Sequence, residues 1–334
     1  MPLLNNAWLN REQSFSAYTT GPLLRFWQQR EEGTLLGGAG VELCYVCFRD
    51  PHHHQVIFIC TGRTESYVKY AELAFDLFYQ GYDVMILDHR GQGRSARLST
   101  GPHMGHVERF DDYVDDFALF CRHLLSRYHY PKRFLLGHSM GGTIGALLLS
   151  RYADDALLQW NGAVLCAPMF SIHLPLPEWL AYRLLNWIER HPARRNHYVL
   201  GSGHWQPLPF VVNRLTHSRV RYRRTLRIFA DNPQLRIGGP SYHWVRESLL
   251  AGRRVLVQAK NIHTPLLLLQ AEDERVVGNH AQIAFCQAMK AAGNPCYGGM
   301  PLVIQGARHE ILFERDEQRV QALDATLRFF AQQR

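Results

Sequence analysis

The sequence predicts an α/β protein with a mostly parallel central sheet, helices on both faces and an inserted, mainly helical cap. Three observations carry this expectation. Short apolar runs alternate with helical periodicity over residues 41–167 and again over 261–334. Phe134-Leu135-Leu136-Gly137-His138-Ser139-Met140-Gly141-Gly142 reads as a buried strand, a sharp turn and the first turn of a helix. Between the two alternating stretches, residues 168–260 lose the β–α rhythm and become rich in Arg, Trp, Tyr and Pro.

The elements follow in chain order. Residues 1–40 form a lead-in segment, with a helix expected around Trp8–Tyr18. Val41–Phe48 and Gln55–Cys60 are β-type runs joined by the turn Asp50-Pro51-His52-His53-His54. Those three histidines lack a converging carboxylate or cysteine, so a solvated loop is expected there rather than a metal site. Cys44 and Cys47 lie three apart on a strand, which puts them on opposite faces and argues against a zinc or redox pair. Lys69–Gln80 repeats Tyr70, Leu73, Ala74, Leu77 and Phe78 at helical spacing. The strand Tyr82–Leu87 ends in the glycine-rich turn Asp88-His89-Arg90-Gly91-Gln92-Gly93-Arg94-Ser95, which lacks the Gly-Lys-Ser/Thr ending of a nucleotide loop. Phe110–Tyr128 is helical, with Asp111 and Asp112 favouring its N-terminus. Ala163–Ala167 is a strand. Pro177–Arg190 is an amphipathic helix with Leu180, Leu184, Trp187 and Ile188 on one face, which either packs on the core or meets an acyl chain or lipid. Strand and helix alternation resumes with Thr264–Gln270, His280–Ala291, Leu302–Ile304 and Asp316–Gln333.

Composition narrows the class of function. The 334 residues, 46% of them hydrophobic, suit one large α/β domain or two smaller ones. The N-terminus has no basic start followed by an apolar run, so no signal peptide is expected. No stretch has the apolar length that spans a bilayer. Seven scattered cysteines, an odd number, read as reduced thiols in a cytosolic protein. The net charge of +8 is concentrated: between Ser171 and Val255 fourteen arginines face four carboxylates, a surplus of ten. Such a segment suits an anionic partner, and an anionic lipid surface or headgroup is preferred to plain solvated charge; no nucleic-acid partner is expected. Arg219, Arg223 and Arg227 recur at helical spacing with Arg221 and Arg224 beside them, and guanidinium forks match phosphate oxygens.

The chemistry centres on Gly137-x-Ser139-x-Gly141. Ser139 must sit on a turn tight enough to thrust its hydroxyl clear of the sheet, and glycine fits where the flanking backbone crowds its neighbours. A serine hydroxyl becomes a nucleophile when a histidine, held by a carboxylate, takes its proton. In this pattern the acid and the histidine follow later strands. His309 lies just past Leu302–Ile304 and is the expected base. Past Thr264–Gln270, Asp273 is the usual residue type for the acid, whereas register favours Glu274. Glu274 is preferred, with Asp273 the alternative. Backbone N–H groups of Met140 and Arg63 are expected to form the oxyanion hole. No metal or cofactor is expected.

Several stretches carry a family resemblance: Gly62-Arg63-x-Glu65-Ser66-Tyr67-Val68-Lys69-Tyr70, Asp88 to Ser95, His138-Ser139-Met140-Gly141-Gly142, Leu215-Thr216-His217-Ser218-Arg219, Tyr242 to Ser248, and His309-Glu310-Ile311-Leu312-Phe313-Glu314. They span most of the chain. It resembles the α/β-hydrolases of the monoglyceride-lipase type, and more closely the bacterial lysophospholipases of the L-two type. That resemblance implies hydrolysis of the fatty acyl ester of a one-chain phospholipid, with acyl transfer to another lipid as a further activity, and peripheral association with the bacterial inner membrane. Two positions depart from the lipase pattern: Thr61-Gly62 stands in place of His-Gly, and Glu274 in place of Asp. Monoglyceride hydrolysis or another carboxylesterase activity is the alternative within the enzyme class. A non-catalytic binder of anionic lipid is the alternative outside it, although a binder has no need of a serine, an acid and a histidine in that order. The residues expected to touch substrate are Trp187, Arg219, Arg223 and Arg224.

Overall fold

A computed structural model describes residue 8 and residues 10–99, 101 and 103–333. Eight strands form one sheet: β1 (Glu31–Leu36), β2 (Glu42–Phe48), β3 (Gln55–Cys60), β4 (Tyr82–Leu87), β5 (Lys132–His138), β6 (Gly162–Cys166), β7 (Leu266–Ala271) and β8 (Leu302–Ile304). Their spatial order is β1-β2-β4-β3-β5-β6-β7-β8. The β1–β2 and β2–β4 pairs are antiparallel and all later pairs are parallel.

Among the described residues eleven α-helices accompany them: α1 (Phe15–Thr20), α2 (Pro22–Gln28), α3 (Ala71–Phe78), α4 (Phe110–Leu125), α5 (Met140–Arg151), α6 (Glu178–Glu189), α7 (Pro192–Arg195), α8 (Arg219–Asp231), α9 (Tyr242–Gln258), α10 (Asn279–Ala291) and α11 (Asp316–Gln332). The two-residue period of a strand sends neighbours to opposite faces. On β3, Val56, Phe58 and Cys60 join a core with α4, α5, α9 and α10. Ile57 and Ile59 join a second core with α2, α3 and α11. Both faces are therefore covered, as a parallel sheet requires, and its strands read as unbroken apolar runs. Truncating a ring such as Phe58 would cost ~3–5 kcal/mol.

Most expected elements lie within a few residues of their observed bounds. The lead-in differs. It carries α1, α2 and a full strand, and Leu23 and Phe26 are buried against the sheet. β1 escaped notice because Glu-Glu-Gly-Thr-Leu-Leu is an edge strand with little buried surface. The helix expected around Trp8–Tyr18 is instead a 3-10 turn over Arg11–Ser14 followed by α1, and Leu9 lies outside the described residues. Cys44 and Cys47 do occupy opposite faces of β2. Between β6 and β7 the chain makes four helices, α6 to α9, and no strand.

The parallel order places the carboxyl ends of β3, β5, β7 and β8 along one edge. Thr61–Lys69, Ser139, Asp273–Glu274 and His309 all follow those ends directly. Residues far apart in sequence are thereby set to converge.

Candidate active site

Ser139 sits between β5 and α5 with φ 53° and ψ −117°, a conformation that a non-glycine residue adopts only under constraint. The constraint is steric closeness on both sides. A Cβ at residue 137 would lie 2.7 Å from the Gly141 carbonyl oxygen, and one at residue 141 would overlap the Cys60 carbonyl at the end of β3. The turn can close this tightly only with glycine at both positions.

His309 Nε2 lies 2.9 Å from Ser139 Oγ, and His309 Nδ1 lies 2.9 Å from Glu274 Oε2. With Nδ1–H donating to the carboxylate, Nε2 is the acceptor facing the serine hydroxyl. Glu274 Oε1 accepts from the N–H groups of Val276 (2.8 Å) and Val277 (3.2 Å). Burial alone would raise the Glu274 pKa. Hydrogen bonding from His309 and those two amides outweighs it and holds the carboxyl below its usual range. Asp273 is turned elsewhere, to Arg275 (2.8 Å) and Arg308 (3.2 Å). Of the two candidate acids, Glu274 is the one brought to the imidazole.

Arg63 lines the cavity that holds Ser139, and Met140 opens α5 immediately after it. The N–H of Gly62 is taken by Glu65 Oε2 (2.5 Å), whereas those of Arg63 and Met140 meet no loop or side-chain acceptor. The cavity of about 300 Å³ is bounded by Ile172, Leu174, Val199, Trp244, Val245 and Val276, an apolar wall facing the hydroxyl.

Beside Ser139 and His309 lies a buried ionic cluster that the sequence did not assign. Lys69 Nζ bridges Glu65 (2.7 Å) and Glu310 (2.6 Å). Glu65 also accepts from Tyr70 OH (2.5 Å) and meets His138 Nδ1 at 3.2 Å. His138 Nε2 in turn lies 3.3 Å from the backbone oxygen of His309. Two carboxylates against one lysine leave a negative charge that a protonated His138 cancels. Accordingly, although burial opposes protonation, the charge of Glu65 and its hydrogen bond raise the His138 pKa. Burial would likewise raise Glu65, but Lys69 and His138 hold it well below the carboxylate range. The local signal was present: Glu65 and Lys69 are four apart in the first motif quoted for the resemblance.

The glycine-rich turn after β4 is a strut for the same loop. Buried Asp88 accepts from Ser66 Oγ (2.8 Å) and from the N–H groups of Tyr67 (2.6 Å) and Arg94 (2.8 Å). Gln92 Nε2 donates to the carbonyls of Gly62 (2.7 Å) and Glu65 (3.1 Å).

The residues expected to touch substrate are not gathered here. Trp187 is exposed on α6, against His191 and Arg194. Of its expected face only Ile188 is buried, because Ala181, Leu185 and Ile188 are the residues that turn inward. Arg219 and Arg223 are exposed on α8, and half-buried Arg224 donates to the Lys69 carbonyl at 3.1 Å. None of these four lines the Ser139 cavity. Part of the arginine surplus is matched by acids elsewhere in the chain: Arg195 by Glu108, Arg221 by Glu72 and Asp316, and Arg254 by Asp111. No group of His, Cys, Asp and Glu suited to a metal ion occurs among the described residues, and His53 pairs with Asp83 at 3.0 Å.

A family model described as serine aminopeptidase, S33, matches residues 51–316. Lysophospholipase L2 of Escherichia coli is 54% identical over 97% of this chain and 94% of its own length. The chain belongs to the lysophospholipase L2 family of α/β-hydrolases. A probable lysophospholipase L2 of Haemophilus influenzae is 33% identical over 96% of this chain and 98% of its own. Among solved structures, a soluble variant of Saccharomyces cerevisiae monoglyceride lipase aligns over 89% of this chain and 94% of its own, with a TM-score of 0.69 at 16% identity. Monoacylglycerol lipase of Paleococcus ferrophilus aligns over 86% and 98%, with a TM-score of 0.66 at 19% identity. These two likenesses speak to the fold, and they place the lysophospholipase L2 family on the same scaffold as monoglyceride lipases.

Proposed function

We propose that this protein is a serine hydrolase that cleaves the fatty acyl ester of lysophospholipids through an acyl-Ser139 intermediate. The observation that carries the reading is the hydrogen-bonded chain Ser139–His309–Glu274, whose serine and histidine line a largely apolar cavity. His309 Nε2 takes the Ser139 proton as Oγ attacks the ester carbonyl carbon. The tetrahedral oxygen receives the N–H groups of Arg63 and Met140. Collapse breaks the acyl C–O bond, and the departing glycerol oxygen takes the proton from His309. Water, deprotonated by the same nitrogen, then releases the fatty acid and restores Ser139. Glu274 keeps Nδ1 protonated and offsets the positive charge of the imidazolium. Acyl transfer would follow if a second lipid alcohol replaced water in the last step.

We further assign α6 to peripheral contact with an anionic membrane. Trp179, Leu180, Leu184 and Trp187 are exposed on it, beside exposed Arg183, Arg190 and Arg194. Among the described residues no helix is long and apolar enough to cross a membrane.

The test is labelling with a fluorophosphonate probe together with product analysis on lysophospholipids and monoglycerides. Wild type is expected to label and to release fatty acid from lysophospholipid, and Ser139→Ala to do neither. Failure of wild type to label would favour a lipid binder, and turnover confined to monoglycerides would make the protein a monoglyceride lipase.

A further inference from the structure

Lys69 is held between Glu65 and Glu310. Arg63 is the one arginine or lysine among the described residues lining the Ser139 cavity, and it makes no ion pair with any carboxylate of those residues. Its guanidinium stands 5.0 Å from the centroid of the Trp244 ring and donates through Nη2 to the Gly238 carbonyl. Its Nε is buried and has no hydrogen-bond partner, and Nη1 makes no hydrogen bond within the described residues. A half-buried cation with unspent donors is costly unless something of opposite charge meets it. Burial brings its pKa down to about 10.

Building on the proposed lysophospholipid substrate, we propose that the Arg63 side chain is the phosphate-reading group of the site. The three-carbon glycerol backbone sets the phosphate of a lysophospholipid a few bonds from the scissile ester. A cation one residue from the oxyanion loop glycine can meet it while the acyl chain lies on the apolar wall. The two carboxylates that also line the cavity do not repel the phosphate at full strength, because Lys69 lies between them. The exposed arginines of α8, which sequence spacing favoured, are left outside the cavity. Arg63 thus has two parts to play: its main chain faces the developing oxyanion, and its side chain selects for a phosphate-bearing headgroup.

The experiment compares kcat/KM for a lysophosphatidylcholine and a monoacylglycerol of the same acyl chain, both below their aggregation concentrations. It uses wild type, Arg63→Met and Arg63→Lys. The readout is the ratio of the two constants, so a general loss through the oxyanion loop cancels. Arg63→Met is expected to lower the ratio about 10- to 100-fold, and Arg63→Lys to restore part of it. An equal fall on both substrates would overturn the assignment and leave Arg63 a support for Gly238 and Trp244. A second measurement needs no variant. Glycerophosphocholine is expected to inhibit monoacylglycerol turnover by wild type competitively, and glycerol at the same concentration is not. Absence of inhibition, or inhibition by inorganic phosphate alone, would overturn the headgroup assignment. Wild type that turns over neither ester would instead sink the proposed reaction itself.

Discussion

Two buried ionic clusters solve one electrostatic problem with different cations. In the first, Arg11, Arg221 and Arg319 surround Glu72, Asp76 and Asp316, with Arg11–Asp76 at 2.7 Å, Arg221–Asp316 at 2.6 Å and Arg319–Asp76 at 2.5 Å. It joins the N-terminal segment, α3, α8 and α11. In the second, Lys69 and His138 face Glu65 and Glu310 beside Ser139. An arginine cannot lose its proton in a protein and binds a carboxylate through a rigid fork, so the first cluster is a clamp whose charge is fixed. Lysine and histidine leave the second cluster open to protons. The pattern recurs in miniature at adjacent acids: Asp273 is held by arginines and Glu274 by a histidine. In these two comparisons the acids matched by arginine hold elements together and the acids matched by histidine adjoin the chemistry, whereas the His53–Asp83 and His243–Glu189 pairs lie outside the Ser139 cavity.

The adjacent acids give the largest expected contrast. Glu274→Gln should lower kcat by about 10⁴-fold, by disfavouring the required tautomer of His309, and Asp273→Asn should leave it within about threefold. Comparable losses from both would erase the distinction. Next comes the pair of clusters. Arg221→Met strands Asp316 and takes from Glu72 one of its three arginines, and denaturant melts should show a loss of ~3–5 kcal/mol, with kcat of the folded enzyme nearly kept. Glu65→Gln removes the charge that Lys69 and His138 face and sets an amide NH2 either against Lys69 or against Gly62 N–H and Tyr70 OH, and kcat should fall about 10²-fold through displacement of the oxyanion loop. A variant pair with the two effects exchanged would reverse the roles given above.

Acidity separates the clusters more gently. The folded-state pKa of His138 is raised, so the stability it contributes is complete below its unfolded value of about 6.5 and is lost as pH rises through the folded value. Glu72 is depressed: burial works against this, but Arg319, Arg221 and Arg11 prevail. Its contribution persists above the unfolded carboxylate pKa and fades only in acid. Stability measured from pH 6 to 9 should therefore decline in wild type, more shallowly in His138→Gln, and unaltered in slope in Glu72→Gln. Equal slopes for wild type and His138→Gln would mean that no proton is held there. The smallest effect concerns α6. Replacing Trp179 and Trp187 with Ala should weaken sedimentation with phosphatidylglycerol vesicles about tenfold while leaving turnover of monomeric substrate intact. Unchanged sedimentation would remove α6 from the membrane.

What could be read in advance followed from range. The elbow announces itself within nine residues, because the strand, the tight turn and the close-packed helix each leave a local mark. His309 and Glu274 were reachable because they follow strands whose apolar runs are plain. The Arg221 partners were not: Glu72 lies 149 residues away, and an arginine-rich helix has the same spacing whether it binds lipid or docks on its own core. Trp187 was placed at the substrate for a related reason, since the inward stripe Ala181, Leu185 and Ile188 lies only one residue on from Leu180, Leu184 and Trp187. Arg63 was assigned for its amide alone, because nothing in a linear motif shows that a guanidinium has been left without a counter-ion.

The arginine clamp bears on how this enzyme could be shortened. Arg11, reaching α3 from ahead of the first strand, and Glu12, which meets both Ser218 and Arg221, connect the N-terminal segment to α3 and α8. A catalyst trimmed back to its recognisable motifs would keep every reacting atom and still lose the hasp that closes one half over the other.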